Sequence, residues 1–244
     1  MGSTNDEVLA LAVAGAPSGT AVAAERQTAG RGRRGRGWES LPGEHILVSV
    51  LWRPLSLPAS AVAGVTLDVG LAVAERLDAR GVACQLKWPN DLLVGGKKVG
   101  GILAELHDDA SRGPFVIIGV GLDVNAAAAD FPPELAPIAT SIQAVLGHRV
   151  DRDAWLDDVV DAVRQACAGY EARGEPDVAR YAARCATLGQ EVRTEDGRVG
   201  RATGIARDGA LLVVWPGAHG APPAAPEPIV AGDVIIIGSG LASS

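Results

Sequence analysis

The 244-residue sequence predicts an α+β fold, in which a mixed or antiparallel sheet packed with helices is followed by a small all-β unit. Three observations predict it. Ile46-Leu-Val-Ser-Val-Leu-Trp52 and Phe115-Val-Ile-Ile-Gly-Val-Gly-Leu122 are short, nearly unbroken apolar runs, the pattern of strands covered on both faces. Val62, Val65, Val69, Val73 and Leu77, and later Trp155, Leu156, Val159, Val163, Cys167 and Tyr170, recur at helical spacing. Beyond Leu188 the pattern shortens to β-like pieces separated by turns, which places a boundary near residue 187 and divides the chain into units 1–187 and 188–244.

In chain order, Thr4-Asn-Asp-Glu7 has the capping-box pattern ahead of Val8-Leu-Ala-Leu-Ala-Val13, so a helix is expected to begin beside Ser3 and Thr4. Thr20 to Glu25 reads as a strand entering a loop and Ile46 to Trp52 as the strand leaving it. A long amphipathic helix is expected from Ala59 to Arg80. Cys84-Gln-Leu-Lys-Trp88 is a short strand that stops at Pro89, which lacks an N–H donor, leaving Asn90 and Asp91 at its edge. Gly95-Gly96 turns the chain and Lys98 to Glu105 returns as the next strand, so the adjacent Lys97 and Lys98 face opposite sides. Phe115 to Leu122 carries two glycines that let another group approach its backbone. Pro132, Pro133 and Pro137 mark a loop, after which helices are expected along Trp155 to Tyr170 and Val178 to Ala186. The last unit should hold strands at Glu191 to Thr194, Val199 to Ala206, Leu211 to Trp215 and Val234 to Ile237, with the proline-rich Ala221 to Pro228 as a surface loop.

Composition narrows the function. A net charge of −7 argues against binding nucleic acid in bulk, which needs a broad basic field. Cys84, Cys167 and Cys185 have neither C-x-x-C nor metal-ligand spacing, so they read as reduced, structural thiols of a cytoplasmic protein, and no protein-built metal site is expected. No stretch approaches the ~20 apolar residues of a spanning helix, and no basic segment followed by an apolar core opens the chain, so no membrane partner is expected.

Against that acidic background, Gln27-Thr-Ala-Gly-Arg-Gly-Arg-Arg-Gly-Arg-Gly-Trp38 interleaves Arg31, Arg33, Arg34 and Arg36 with Gly30, Gly32, Gly35 and Gly37. Glycines let the backbone bend round a ligand while guanidinium groups bring fixed positive charge from several sides. The formal G-x-G-x-x-G match is not a dinucleotide fingerprint, because loop residues Arg36 to Gly43 follow where a helix should open. Arg-Gly runs also occur in RNA-binding tails; this one is held between two strand-like segments, which makes it a loop that serves a site. Lys97 and Lys98 do not complete a P-loop either, since Asp91 stands where its first glycine belongs.

Three blocks in order, Gly2-Ser-Thr-Asn5, the arginine loop, and Lys87-Trp-Pro-Asn-Asp91 with Leu92-Leu-Val-Gly-Gly-Lys-Lys-Val-Gly-Gly-Ile-Leu103, give a chain that resembles the biotin protein ligases. The resemblance implies a class II synthetase-like catalytic domain with a C-terminal SH3-like barrel. It also implies a two-step reaction: biotin and ATP, with Mg²⁺, give biotinyl-5′-AMP and pyrophosphate, and the biotinyl group then moves to a lysine of a biotin carboxyl carrier domain. By match, Ser3, Thr4, Asn5, Gln27, Gly30, Arg31 and Lys98 would lie at biotin. Arg31, Arg33, Arg36, Trp38, Asn90 and Asp123 would lie at ATP or the adenylate. Lys98 and Arg33 would stabilise the reacting groups, and Asp91 would orient or deprotonate the incoming lysine amine.

The chain departs from the family in two places. Asp123 stands where an asparagine is usual, with Asn125 two positions later; and the family usually has a strand before the Ser-Thr-Asn block, whereas this sequence starts almost on it, so either the start is misplaced or one strand is missing. The resemblance further implies no operator binding, because there is no room for a helix-turn-helix ahead of the block, and a monomer or weak homodimer. A lipoate or octanoate transferase of the same fold is the first alternative; such relatives typically carry a histidine near a glycine-rich block, and His45 is too far from Gly35 to fit. An RNA-binding Arg-Gly module is the second. The reaction itself needs cations, because a carboxylate and a phosphate 4 Å apart repel by ~1 kcal/mol in water and ~4 kcal/mol at an effective dielectric of 20.

Overall fold

The computed structural model describes residues 1–57, 63–216, 225–230 and 232–237. Six antiparallel strands form its main sheet: β1 (Ala21–Ala23), β2 (His45–Trp52), β3 (Gln85–Lys87), β4 (Asp91–Val94), β5 (Lys97–His107) and β6 (Phe115–Asp123), in the spatial order β1-β2-β6-β5-β4-β3. Strand alternation divides the labour of its two faces. Ile46, Val48, Val50 and Trp52 of β2 and Val116, Ile118, Val120 and Leu122 of β6 join the apolar core under helices α2 (Val65–Ala79) and α4 (Arg152–Arg173). On the opposite face, Leu51, Phe115 and Ile117 meet Val8 and Ala12 of helix α1 (Thr4–Val13). Further along that face, Ser49 of β2 and Gly119 of β6 meet Thr4 and Asn5 in the first turn of α1, while His45 and Leu47 of β2 and Gly121 and Asp123 of β6 line a cavity.

Helix α1 starts one residue differently from the capping-box expectation. Ser3 is the N-cap, in extended conformation, and its Oγ accepts from the Asn5 N–H at 3.3 Å. Thr4 is thereby released from capping and turned inward. The first part of the long helix expected from Ala59, up to and including Val62, lies outside the described residues; the described helix begins at Val65. A short helix not expected from the sequence, α3 (Ile142–Leu146), is capped by Ser141, whose Oγ accepts from Ala144 N at 3.0 Å, and closed by Gly147 at φ 79°. Five residues are too few to show a helical period.

After α5 (Val178–Arg184), five strands form a second antiparallel sheet: β7 (Glu191–Thr194), β8 (Val199–Ile205), β9 (Leu211–Val214), β10 (Glu227–Ile229) and β11 (Val234–Ile237), ordered β10-β9-β8-β7-β11. This small sheet is consistent with an SH3-like unit. The proline-rich loop expected over Ala221 to Pro228 needs correction. Residues 221–224 lie outside the described ones, but Glu227 and Pro228 belong to strand β10. Proline is tolerated there because β10 is an edge strand, where a missing donor costs no ladder bond.

The two sheets are joined through the Lys87-Trp-Pro-Asn-Asp91 segment. Trp88 is 2% exposed; its backbone N–H donates to Thr187 Oγ1 at 3.0 Å and its indole Nε1 donates to the Gly209 carbonyl, in the β8–β9 turn, at 2.9 Å. Val192, Ala202, Leu211, Val213, Val234 and Ile236 of the second sheet belong to the same apolar cluster as α2.

Candidate functional site

The uncovered part of the main sheet floors a cavity of about 620 Å³, in the range of small-molecule sites. Its floor is glycine for a reason that can be measured. A Cβ on Gly121 would stand 2.6 Å from Trp38 Cε2, and one on Gly119 would stand 2.6 Å from Asn5 Oδ1. The Trp38 indole therefore lies directly against the β6 backbone, with Lys98 Nζ 5.6 Å from its ring centroid. Its Nε1 is buried with no hydrogen-bond partner among the described residues. A donor held dry in a cavity has an acceptor to gain from a ligand. Gly121→Ala is expected to unseat the indole, seen as a red-shifted tryptophan emission that disappears in a Trp38→Phe background. An unshifted spectrum would mean that the ring does not rest on this strand.

One wall comes from the N-terminus of α1. The Thr4 N–H donates to Gln27 Oε1 at 2.7 Å and Thr4 Oγ1 to the same oxygen at 3.1 Å. Ser49 Oγ, fully buried in β2, lies 2.7 Å from Thr4 Oγ1 and also bonds to Asn5 Oδ1, while Asn5 Nδ2 donates to Glu105 Oε2 at 2.6 Å. Ser3, Thr4, Asn5 and Gln27 are thus gathered on the cavity wall, locked to one another before any ligand arrives.

The arginine loop forms the rim. Arg31 and Gly37 bridge in antiparallel fashion, Trp38 N–H donates to the Gly30 carbonyl at 3.0 Å, and a 3₁₀ turn spans Arg33–Gly35. Arg34 sits in the left-handed region at φ 60°, a strained conformation for a residue with a side chain. Each guanidinium meets a carboxylate. Arg31 contacts Asp6 at 2.8 Å and Glu105 at 3.3 Å, and these contacts hold its pKa above the usual arginine value, the Asp6 hydrogen bond contributing most. Arg33 Nη1 lies 2.8 Å from Asp233 Oδ1 and 3.3 Å from Asn90 Oδ1; Arg36 also pairs with Asp233, and Arg34 with Glu195. Arg31, Arg33, Arg36 and Trp38 line the cavity. Gly30 does not, and serves instead at the base of the loop, where a Cβ would come 2.6 Å from the Trp38 carbonyl.

Lys98 and Asn90 also line the cavity, as expected of a strand that aims Lys98 inward; Lys97 points away and donates to the Ala136 carbonyl at 3.1 Å. Asp91 is not on the cavity wall. It lies behind Lys98, its Oδ1 2.7 Å from Lys98 Nζ and its Oδ2 4.0 Å from Lys87 Nζ, and it is 8% exposed. That placement suits holding Lys98 in position better than meeting an incoming amine. Burial pushes the Lys87 pKa down, with Asp91 opposing and Lys98 reinforcing the shift. Asp123 lines the cavity too, paired with His45. The opposite wall is the segment around Asp130, Glu134, Leu135 and Ile138, anchored by Lys98 N–H to the Ile138 carbonyl at 2.8 Å.

Sequence reasoning missed Ser49, Glu105, His45 and that last segment. Ser49 carried a weak signal, as the one polar residue in an apolar run; the others are joined to the site only by strand register and chain reversal.

Residues 2–123 match the biotin/lipoate A/B protein ligase family. The chain is 38% identical over 212 residues to the biotin–acetyl-CoA-carboxylase ligase of Mycobacterium tuberculosis, covering 85% of this chain and 76% of that protein. It is 37% identical over 217 residues to the bifunctional ligase/repressor BirA of Bacillus spizizenii, covering 86% of this chain and 66% of that protein. Among solved structures, it is similar to the biotin protein ligase of Aquifex aeolicus in complex with biotin and ATP, with a TM-score of 0.77, 27% identity, and 96% and 94% of the two chains covered.

Proposed function

The chain belongs to the biotin/lipoate A/B protein ligase family, and from that premise we propose that it is a biotin protein ligase. It uses ATP to activate biotin and transfers the biotinyl group to one lysine of a biotin carboxyl carrier domain. The observation that carries this reading is the cavity itself, whose lining brings together a locked polar wall, a glycine floor, guanidinium groups and Lys98. Its polar wall suits a neutral bicyclic ring, and its cations suit that molecule's carboxylate and a phosphate chain.

In the first step a biotin carboxylate oxygen attacks the α-phosphorus of ATP, and the bond to the leaving pyrophosphate breaks. Two anions approach one another, and Lys98 with Arg31 supplies charge at the developing bond. Ser3, Thr4, Asn5 and Gln27 hold the biotin ring, while Arg33, Arg36, Trp38, Asn90 and the strand end at Asp123 surround the nucleotide. Arg33 also limits escape of the adenylate. Gly30 keeps the loop backbone close to Trp38, and Asp91 keeps Lys98 on station. In the second step the carrier lysine nitrogen attacks the acyl carbon, the bond to AMP breaks, and the amine proton is lost to water or to the departing phosphate. Among the described residues no group of three or more His, Cys, Asp or Glu could hold a metal ion. In this reading Mg²⁺ enters as part of the MgATP substrate, which fits its habit of binding through phosphates.

Units 1–187 and 188–244, the second closing over the arginine loop, are part of this proposal. So is a cytoplasmic setting, with no membrane or DNA partner; among the described residues no helix is long and apolar enough to cross a membrane, and the three buried cysteines are free. The test is the intact mass of a carrier domain incubated with the protein, MgATP and either biotin, lipoate or octanoate. One biotinyl increment, dependent on ATP, is expected. A lipoyl or octanoyl increment in its place would transfer the chain to a sister activity within the family.

A further inference from the structure

His45 and Asp123 are register partners across β2 and β6, and their side chains meet on the cavity face, Nδ1 to Oδ1 at 2.7 Å. They are 5% and 7% exposed. The aspartate is out of place electrostatically. It lines a cavity whose cations, Arg31, Arg33, Arg36 and Lys98, suit an anion; the other lining carboxylates, Glu39, Asp130 and Glu134, are exposed, whereas this one is buried and opposes the same anion. Among the described residues its ion-pair partner is His45. Burial pushes the Asp123 carboxyl toward its neutral form, and the His45 hydrogen bond and charge are the largest influences holding it ionised, followed by Lys98. The other charged groups around the pair are Lys98 on β5, Asp130 and Glu134 on the facing wall, Glu44 paired with Arg149 at 2.9 Å, and Glu25 paired with Arg152 at 2.5 Å on the far flank.

The geometry points to His45 as a positioning residue for the nucleotide: by carrying one proton into its pair with Asp123 it makes that pair neutral, and so allows a carboxylate to stand in a phosphate-binding cavity. With the proton the pair is imidazolium and carboxylate, or imidazole and carboxylic acid; both have no net charge. Without it the pair presents one negative charge to the nucleotide. The inference rests on the ATP-dependent reading above, and it predicts a nucleotide affinity that weakens as rising pH removes the shared proton.

The experiment measures the KM for MgATP and kcat of the full chain across pH, with saturating biotin and carrier, and the affinity for MgATP by calorimetry without turnover. His45→Gln keeps a hydrogen-bonding side chain but cannot hold the proton, and should raise the KM for MgATP about tenfold, more than it lowers kcat. Asp123→Asn should lower that KM at high pH and flatten its pH dependence. The double variant His45→Gln/Asp123→Asn should return the KM below that of His45→Gln alone, a rescue that a purely structural role does not produce. Unchanged ATP affinity in His45→Gln, or a double variant no better than it, would overturn the inference. If the unaltered chain transfers no biotin, the proposed reaction fails by itself; calorimetric weakening of MgATP by His45→Gln would still support the pair's role, and equal affinities would end it.

Discussion

Replacing Lys98 by Ala is expected to slow adenylate formation by about 10²–10³-fold, the usual cost of removing one fixed electrostatic stabiliser from a reacting centre. Lys98 is held from two sides, by Asp91 at 2.7 Å and by the Trp38 ring at 5.6 Å, so its ammonium is already fixed where the proposed reaction would develop charge. Pyrophosphate release with biotin and MgATP, in the absence of carrier, reads this step alone. A loss of less than about threefold would remove Lys98 from the chemistry. Because Asp91 acts through Lys98 in this geometry, Asp91→Asn should weaken adenylation and transfer together. Loss of transfer alone, measured from preformed biotinyl-5′-AMP, would restore Asp91 to a direct role at the amine.

The second large effect concerns stability. Trp88→Ala is expected to cost about 3–5 kcal/mol, the range for deleting a fully buried large aromatic, measured as a lower urea midpoint. The ring fills space between the two sheets, and its N–H satisfies the Gly209 carbonyl at 2.9 Å. Trp88→Phe keeps most of the apolar contact and loses the donor, so it should cost markedly less. Near-equal costs for the two variants would show that the hydrogen bond, and not the packing, joins the sheets.

The pair of variants also illustrates what the sequence could convey. Lys87-Trp-Pro-Asn-Asp91 was legible as a site block, yet its tryptophan faces away from the cavity and into the core, and its aspartate hides behind a lysine seven residues further on. Motif spacing reports that residues belong together and says little about which of them a ligand touches. Strand periodicity did better: continuous apolar runs at Ile46–Trp52 and Phe115–Leu122 gave β2 and β6 almost to the residue, and the glycines within β6 marked the cavity floor. What stayed hidden was decided by register across hundreds of ångströms of chain contour. His45 meets Asp123, and Asn5 meets Glu105, only once β2, β5 and β6 are aligned. Strand β10 was hidden for another reason: a segment with four prolines reads as loop until it is known to lie at an edge.

The rim of the cavity has a thermodynamic consequence. Phosphate contacts to a nucleic-acid backbone gain from releasing condensed counterions, and exposed ion pairs in general are screened by added salt. Here the guanidinium groups of Arg31, Arg33, Arg34 and Arg36 already rest on Asp6, Glu105, Asp233 and Glu195 of the same chain. In the proposed reaction, a triphosphate entering the rim would exchange with tethered carboxylates, which do not dilute into the medium when displaced. Affinity should then respond only shallowly to ionic strength, and every phosphate gained at Arg33 or Arg36 loosens the hold of Asp233, hence of the small sheet, on the loop. Substrate occupancy and the grip of the C-terminal strands are competing claims on one set of charges.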